Sequence, residues 1–125
     1  MTKEYIDLNP NKNYAFSTCV KAGDFIYLAH HGGIIDEEGN VLENIEEQTD
    51  QTFKSIEKTL KAAGVSFNDV IKTNVYLKNI KDFQKMNEVY RRYFNEGYPA
   101  RMTSTTAFVD EKCLIQIDLV AYKST

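Results

Sequence analysis

Apolar and polar positions along this chain of 125 residues change period several times, and each change marks an element. Tyr14 to Val20 and Phe25 to His30 are rich in β-branched and aromatic residues. They flank Lys21-Ala22-Gly23-Asp24, a Gly-Asp turn, so they predict a β-hairpin. A second turn cluster, Asp36 to Asn40, leads into Asn44-Ile45-Glu46-Glu47, where Asn followed three residues later by Glu is a capping-box variant that opens a helix. From Glu46 to Ala63 the side chains Phe53, Ile56, Leu60 and Ala63 fall at offsets of three, seven and ten, one stripe of a helix, and Gly64 supplies the stop. Val70 to Leu77 alternates instead, placing Ile71, Thr73, Val75 and Leu77 on one face of a strand. Asn79 and Asp82 open a second helix carrying Phe83, Met86, Val89, Tyr90, Tyr93 and Phe94, which Gly97 and Pro99 end. Arg101 to Val109 and Cys113 to Tyr122 read as two further strands.

The order β-β-α-β-α-β-β predicts an α+β two-layer sandwich, a mixed sheet with two helices on one face. No linker, repeat or low-complexity tract divides it, so residues 1–125 form a single domain. The last strand is apolar on both alternations, Leu114 and Val120 against Ile115, Ile117 and Leu119, and its second face therefore calls for cover from other subunits.

Composition narrows the functional classes. Hydrophobic residues at 42% exclude a disordered chain, while charged residues at 26% and no long apolar run exclude a membrane span. A net charge of -3 supplies no excess of cations for a nucleic-acid backbone, which argues against RNA or DNA as partner. Cys19 and Cys113 have no metal-ligand spacing and are too few for a disulfide scaffold; they read as reduced packing residues. The charged N-terminus lacks a signal-peptide core, and a cytoplasmic location follows by elimination.

Four positions stand out chemically. Arg101 opens a strand otherwise uncharged as far as Val109, where a forked guanidinium suits capture of a carboxylate or, alternatively, a surface salt bridge. Asp118 projects from an apolar run on the face of Leu114, Gln116 and Val120; a buried carboxylate needs a partner, and Arg101 is the obvious candidate. His30 and His31 are neighbours on a strand and point to opposite faces, so they do not chelate one metal together, and at most one lines a site. No phosphate loop, dinucleotide fingerprint or nucleophile elbow is present, and no metal or cofactor is implied.

Several segments together resemble the RidA/YjgF family of small trimeric enamine/imine deaminases, which includes L-PSP-type endoribonucleases and translation inhibitors. They are Ser17 to Tyr27, Glu46 to Thr49, Ala62-Ala63-Gly64, Asp69 to Leu77, Met86 to Tyr90 with Tyr93-Phe94, and Pro99-Ala100-Arg101, spread from about Phe16 to Ala121. The resemblance implies a chorismate-mutase-like subunit, a homotrimer and pockets between subunits. It places Arg101 on the arginine that binds the substrate carboxylate. Where deaminating members carry a tyrosine, a Ser-Gly-Gln run and a cysteine, this chain has Phe16, Ala29-His30-His31 and Thr103. The family pattern Ile-Glu-Ile-Glu becomes Ile115-Gln116-Ile117-Asp118, so the water-positioning carboxylate aligns with Gln116, which cannot accept a proton. Asp118 and His30 are the candidate replacement bases.

By themselves these residues support a small polar pocket able to hold a carboxylate; the resemblance implies cofactor-free hydrolysis of reactive 2-imino or enamino acids to 2-oxo acids and ammonia. Two alternatives stay open: a non-catalytic or altered-specificity binder of small carboxylates, and an endoribonuclease or translation-inhibitor type of member.

Overall fold

The computed structural model describes residues 2–9 and 13–124; Met1, Pro10 to Lys12 in the charged N-terminal segment, and Thr125 lie outside the described residues. The elements in order are β1 (Lys3–Ile6), β2 (Cys19–Ala22), β3 (Phe25–His31), α1 (Ile45–Ala63), β4 (Val70–Leu77), α2 (Phe83–Arg91), β5 (Ala100–Thr105) and β6 (Ile115–Tyr122). They build one six-stranded sheet in the order β1-β2-β3-β6-β4-β5. Only the β4–β5 pair is parallel, with α2 as its crossover, so the sheet is mixed and the α+β expectation holds.

Helix α1 starts where its cap predicts. The Asn44 side chain accepts from the Glu47 N–H at 2.8 Å, and Gly64 closes the helix at φ 80°, returning its N–H to the carbonyls of Leu60 and Lys61. The stripe of Phe53, Ile56, Leu60 and Ala63 is buried against Ile26, Leu28, Val75, Leu77, Ile115, Ile117 and Leu119 of the sheet. Where the chain leaves β3, Gly33 crosses α1 so closely that a Cβ there would lie 2.7 Å from the Gln48 carbonyl oxygen and the Thr52 nitrogen. Backbone on both sides leaves no room for any side chain at that position.

Five local expectations change. The first hairpin strand begins at Cys19 rather than Tyr14: its register with β3 ends at Cys19↔Leu28, and beyond it a single backbone bond, from the Ala29 N–H to the Thr18 carbonyl at 2.9 Å, ties the two segments. Instead β2 gains β1, whose Lys3-Glu4-Tyr5 carries no apolar alternation and is recruited by the free edge of β2. Ile71 does not share the face of Thr73, Val75 and Leu77: a register shift between Val70 and Lys72 turns Val70 inward and Ile71 outward. Helix α2 stops at Arg91, where the N–H groups of Arg92 and Tyr93 bond to carbonyls three residues back. That tighter turn stacks Tyr93 on Phe53, ring centroids 4.4 Å apart, and still buries Phe94. The fifth change trims β5 to Thr105, where its partner β4 ends, and β6 to Ile115, since Gln48 of α1 takes the Leu114 N–H.

Opposite the helices, no element among the described residues covers the sheet. Tyr5, Val20, Tyr27 and Val120 form one cross-strand row on that face, and Phe25 packs on Tyr122 beside it at 5.1 Å. Tyr5 is 66% exposed and Tyr27 48%.

Candidate functional site

Arg101 is the second residue of β5 and pairs in register with Thr73 of β4. The Thr73 side chain is buried on the helix side, its hydroxyl 2.7 Å from the Tyr90 hydroxyl, so the register turns Arg101 toward α2 as well. There Nη1 of the guanidinium donates to Asn87 Oδ1 at 2.6 Å. Its central carbon lies 4.8 Å from the Tyr90 ring centroid and 5.5 Å from that of Phe83. Burial pushes the Tyr90 phenol up, opposed by its Thr73 hydrogen bond and the Arg101 charge. The cation is thus bedded on two ring faces and one neutral oxygen, and among the described residues no carboxylate pairs with it. A cleft of about 410 Å³ opens beside it, bounded by Tyr98, Pro99 and Arg91. A half-buried arginine with neutral neighbours keeps its charge uncompensated, which suits it to an anionic ligand.

Gln116 lies on β6 and pairs with Tyr76, on the sheet face opposite the buried Ile115 and Ile117. It lines a larger cavity of about 850 Å³ together with Phe16, Ala29, His30, His31 and Gly32. The β3 bulge shapes this wall. It places Ala29 and His30 consecutively outward and turns His31 inward. His31 Nδ1 donates to the Ala29 carbonyl at 2.7 Å, since a carbonyl can only accept, and Nε2 of the neutral ring then accepts from the Thr59 hydroxyl at 2.8 Å. Burial holds its pKa below the usual histidine value, against the opposing Ala29 hydrogen bond. With both nitrogens engaged, His31 is a satisfied core histidine. His30 is exposed, its ring 5.1 Å from Phe16. Cys113 is buried beneath, donating to the Ile115 carbonyl at 3.2 Å; burial raises its pKa, partly offset by hydrogen bonding with the Ile115 backbone and the Gln116 side chain, as expected of a packing thiol.

The expected Arg101–Asp118 pair does not form. Asp118 pairs with Asn74 rather than Thr73, so its carboxylate projects from the opposite face, where it accepts from Asn74 Nδ2 at 2.7 Å and from the Tyr76 hydroxyl. Asp118 and Thr103 line neither cavity, whereas Phe16, Ala29, His30, His31 and Gln116 share one and Arg101 lies in the other, with no residue common to both. Sequence reasoning missed Asn87 and Tyr90 as the support of Arg101, having assigned the aromatic stripe of the second helix to the core. Their three-residue spacing, which puts an amide and a phenol on one helix face, was the available signal.

Sheet, helices and clefts describe a small α+β fold, and solved structures share it: a chain from Thermotoga maritima superposes with a TM-score of 0.87 at 30% identity, covering 99% of this chain and 100% of that one. The chain belongs to the RidA/YjgF/L-PSP family, whose pattern, described as Endoribonuclease L-PSP, matches residues 7–123. A RutC family protein of Pyrococcus horikoshii is 43% identical over 109 residues, 86% of each chain. The human 2-iminobutanoate/2-iminopropanoate deaminase is 34% identical over 107 residues, 85% of this chain and 78% of that protein. RidA from an Antarctic Psychrobacter superposes with a TM-score of 0.82 at 32% identity, covering 91% and 93% of the two chains. Among the described residues no helix is long and apolar enough to cross a membrane.

Proposed function

We propose that the chain hydrolyses 2-imino acids at a site completed between subunits of a homotrimer. The overall change adds one water to R–C(=NH)–COO⁻ and releases R–C(=O)–COO⁻ and ammonia. The observation that carries this reading is the uncompensated Arg101 guanidinium, and the deaminase among the relatives supports it. Arg101 holds the substrate carboxylate through donors that Asn87 leaves open. Gln116 accepts a hydrogen bond from the attacking water through Oε1 and aims it at C2, while the proton passes to the imine nitrogen within the reacting pair. Orientation then supplies most of the rate, since an amide cannot act as a base. His30 is the exposed imidazole in the same cavity and would relay a proton.

Arg101 and Gln116 line separate cavities of one chain, and a neighbour's cleft set against the Gln116 cavity brings the two together. The uncovered row of Tyr5, Val20, Tyr27 and Val120 supports such packing. Gln116, whose amide cannot take up a proton, favours one second reading, a carboxylate binder without turnover. The test generates an imine in situ with an amino-acid oxidase, follows its loss against semicarbazone formation, and measures mass by light scattering. Accelerated loss by a trimer supports the deaminase. Ligand binding without acceleration supports the binder, and a monomer that does not turn over imine removes the shared site.

A further inference from the structure

The cavity that holds Gln116 carries a wall that a two- or three-carbon side chain would not use. The rings of Tyr14 and Phe16 stack at 5.8 Å and 29°, and Phe16 continues to His30 at 5.1 Å and 43°. Three rings in sequence form a ladder along one side. Yet Tyr14 is 54% and Phe16 45% exposed and both line the cavity, so these rings are not spent on the core. Leu8 and Val109, both exposed, extend the apolar lining. On β3, which carries His30 of the ladder, Ala29 is small, and Gly32 just past the end of the strand has no side chain at all. A Cβ at Gly32 would stand 3.9 Å from Gln116 Cγ, so the absent side chain leaves space directly beside the amide. The cavity is therefore polar at Gln116 and aromatic along Tyr14, Phe16 and His30. Its volume of about 850 Å³ is in the range of sites that enclose drug-sized ligands.

We infer that this cavity selects 2-imino acids, and their 2-oxo products, that bear an aromatic side chain. The inference rests on the deaminase reading for the position of C2 at Gln116, and it assigns the side chain to the ring ladder. A phenyl or indole ring packed against the exposed side of the ladder at Phe16 is stabilised by burial of its own apolar area and by edge-to-face ring geometry, which together exceed what an ethyl group gains there. Arg101 of a neighbouring copy sees only the carboxylate and does not distinguish between side chains.

The test separates the two layers. Calorimetry with phenylpyruvate and 2-oxobutyrate reads the preference without turnover, on the wild type, Phe16→Ala and Phe16→Tyr. Phenylpyruvate is expected to bind about tenfold or more tightly than 2-oxobutyrate in the wild type. That ratio should fall to roughly threefold or less in Phe16→Ala and persist in Phe16→Tyr, which keeps a ring. Equal affinities in the wild type, or a preference that survives Phe16→Ala, overturn the inference. In parallel, imines of phenylalanine and 2-aminobutyrate are generated by an amino-acid oxidase. If both are hydrolysed with no preference for the aromatic one, the deaminase stands and the aromatic class falls. If neither is hydrolysed while the binding preference and its loss in Phe16→Ala hold, the deaminase falls and the ladder stands as an aromatic 2-oxo-acid site.

Discussion

The guanidinium of Arg101 rests on Tyr90 and Phe83 and is tied to Asn87, and Tyr90 is itself tied through its hydroxyl to Thr73 in the sheet. Around Gln116 the walls are a bulged strand, exposed rings and a glycine. One region is set by helix-on-sheet packing and inherits the rigidity of the core. The other is set by a break in strand pairing and leaves side chains facing open space. The contrast suits an anchor that must hold one group of every ligand and a reacting end that adapts to the rest. For the proposed hydrolysis it also locates the weak point: Arg101 would serve as the anchor, while the Gln116 side carries an amide where a carboxylate would serve as base.

The largest effect is expected at the reacting end. Gln116→Glu supplies the missing proton acceptor and should raise imine hydrolysis by about 10²–10⁴, the usual range for a positioned base, with the change in kcat rather than KM. The semicarbazone competition assay reads it directly. An unchanged rate would mean that the proton already moves through His30, and His30→Ala should then abolish turnover.

At the anchor, Arg101→Ala should weaken binding of 2-oxobutyrate roughly a hundredfold, as expected for loss of a bidentate charge-assisted pair, and Arg101→Lys should recover only part of it. Asn87→Asp sharpens the comparison because it changes no reacting group. It places a carboxylate against the guanidinium, which then competes with the ligand's own, so KM should rise about tenfold while kcat holds. Asn87→Ala should do less. A fall in kcat with unchanged KM in Asn87→Asp would show that the amide acts on the reaction and not through Arg101.

The smallest effect concerns stability beneath the larger cavity. Burial lowers the folded-state pKa of His31, so the unfolded chain takes up its proton first. The stability contributed by the neutral ring is full above the unfolded value of about 6.5 and is lost as pH falls from there through the lower folded value, no more steeply than about 1.4 kcal/mol per pH unit for one proton. Urea midpoints measured from pH 8 to pH 5 should decline over that window, and His31→Gln should flatten the histidine share of the decline. An equal slope in the variant would transfer the dependence to other groups.

Much of the molecule was legible before its structure. Asn44 and Gly64 bound α1 because caps act within a few residues, and Phe53, Ile56, Leu60 and Ala63 mark its buried stripe because the helical period is local. The apolar alternations of β6 announce a sheet with two faces to cover, and Arg101 stands out as a lone charge in an uncharged stretch. Alternation within a strand says which residues share a face, but not which face that is. Whether Arg101 and Asp118 meet depended on pairing Arg101 with Thr73 and Asp118 with Asn74, adjacent residues of β4 that point to opposite sides. Likewise the bulge in β3, which sends His31 inward and His30 outward, and the shift that turns Ile71 out, arise from matching one ladder to another. Caps and periods belong to the sequence because they are short-range. The separation of Arg101 from Gln116 into two cavities belongs to the tertiary structure, because strand register is decided only when distant segments compete for the same hydrogen bonds.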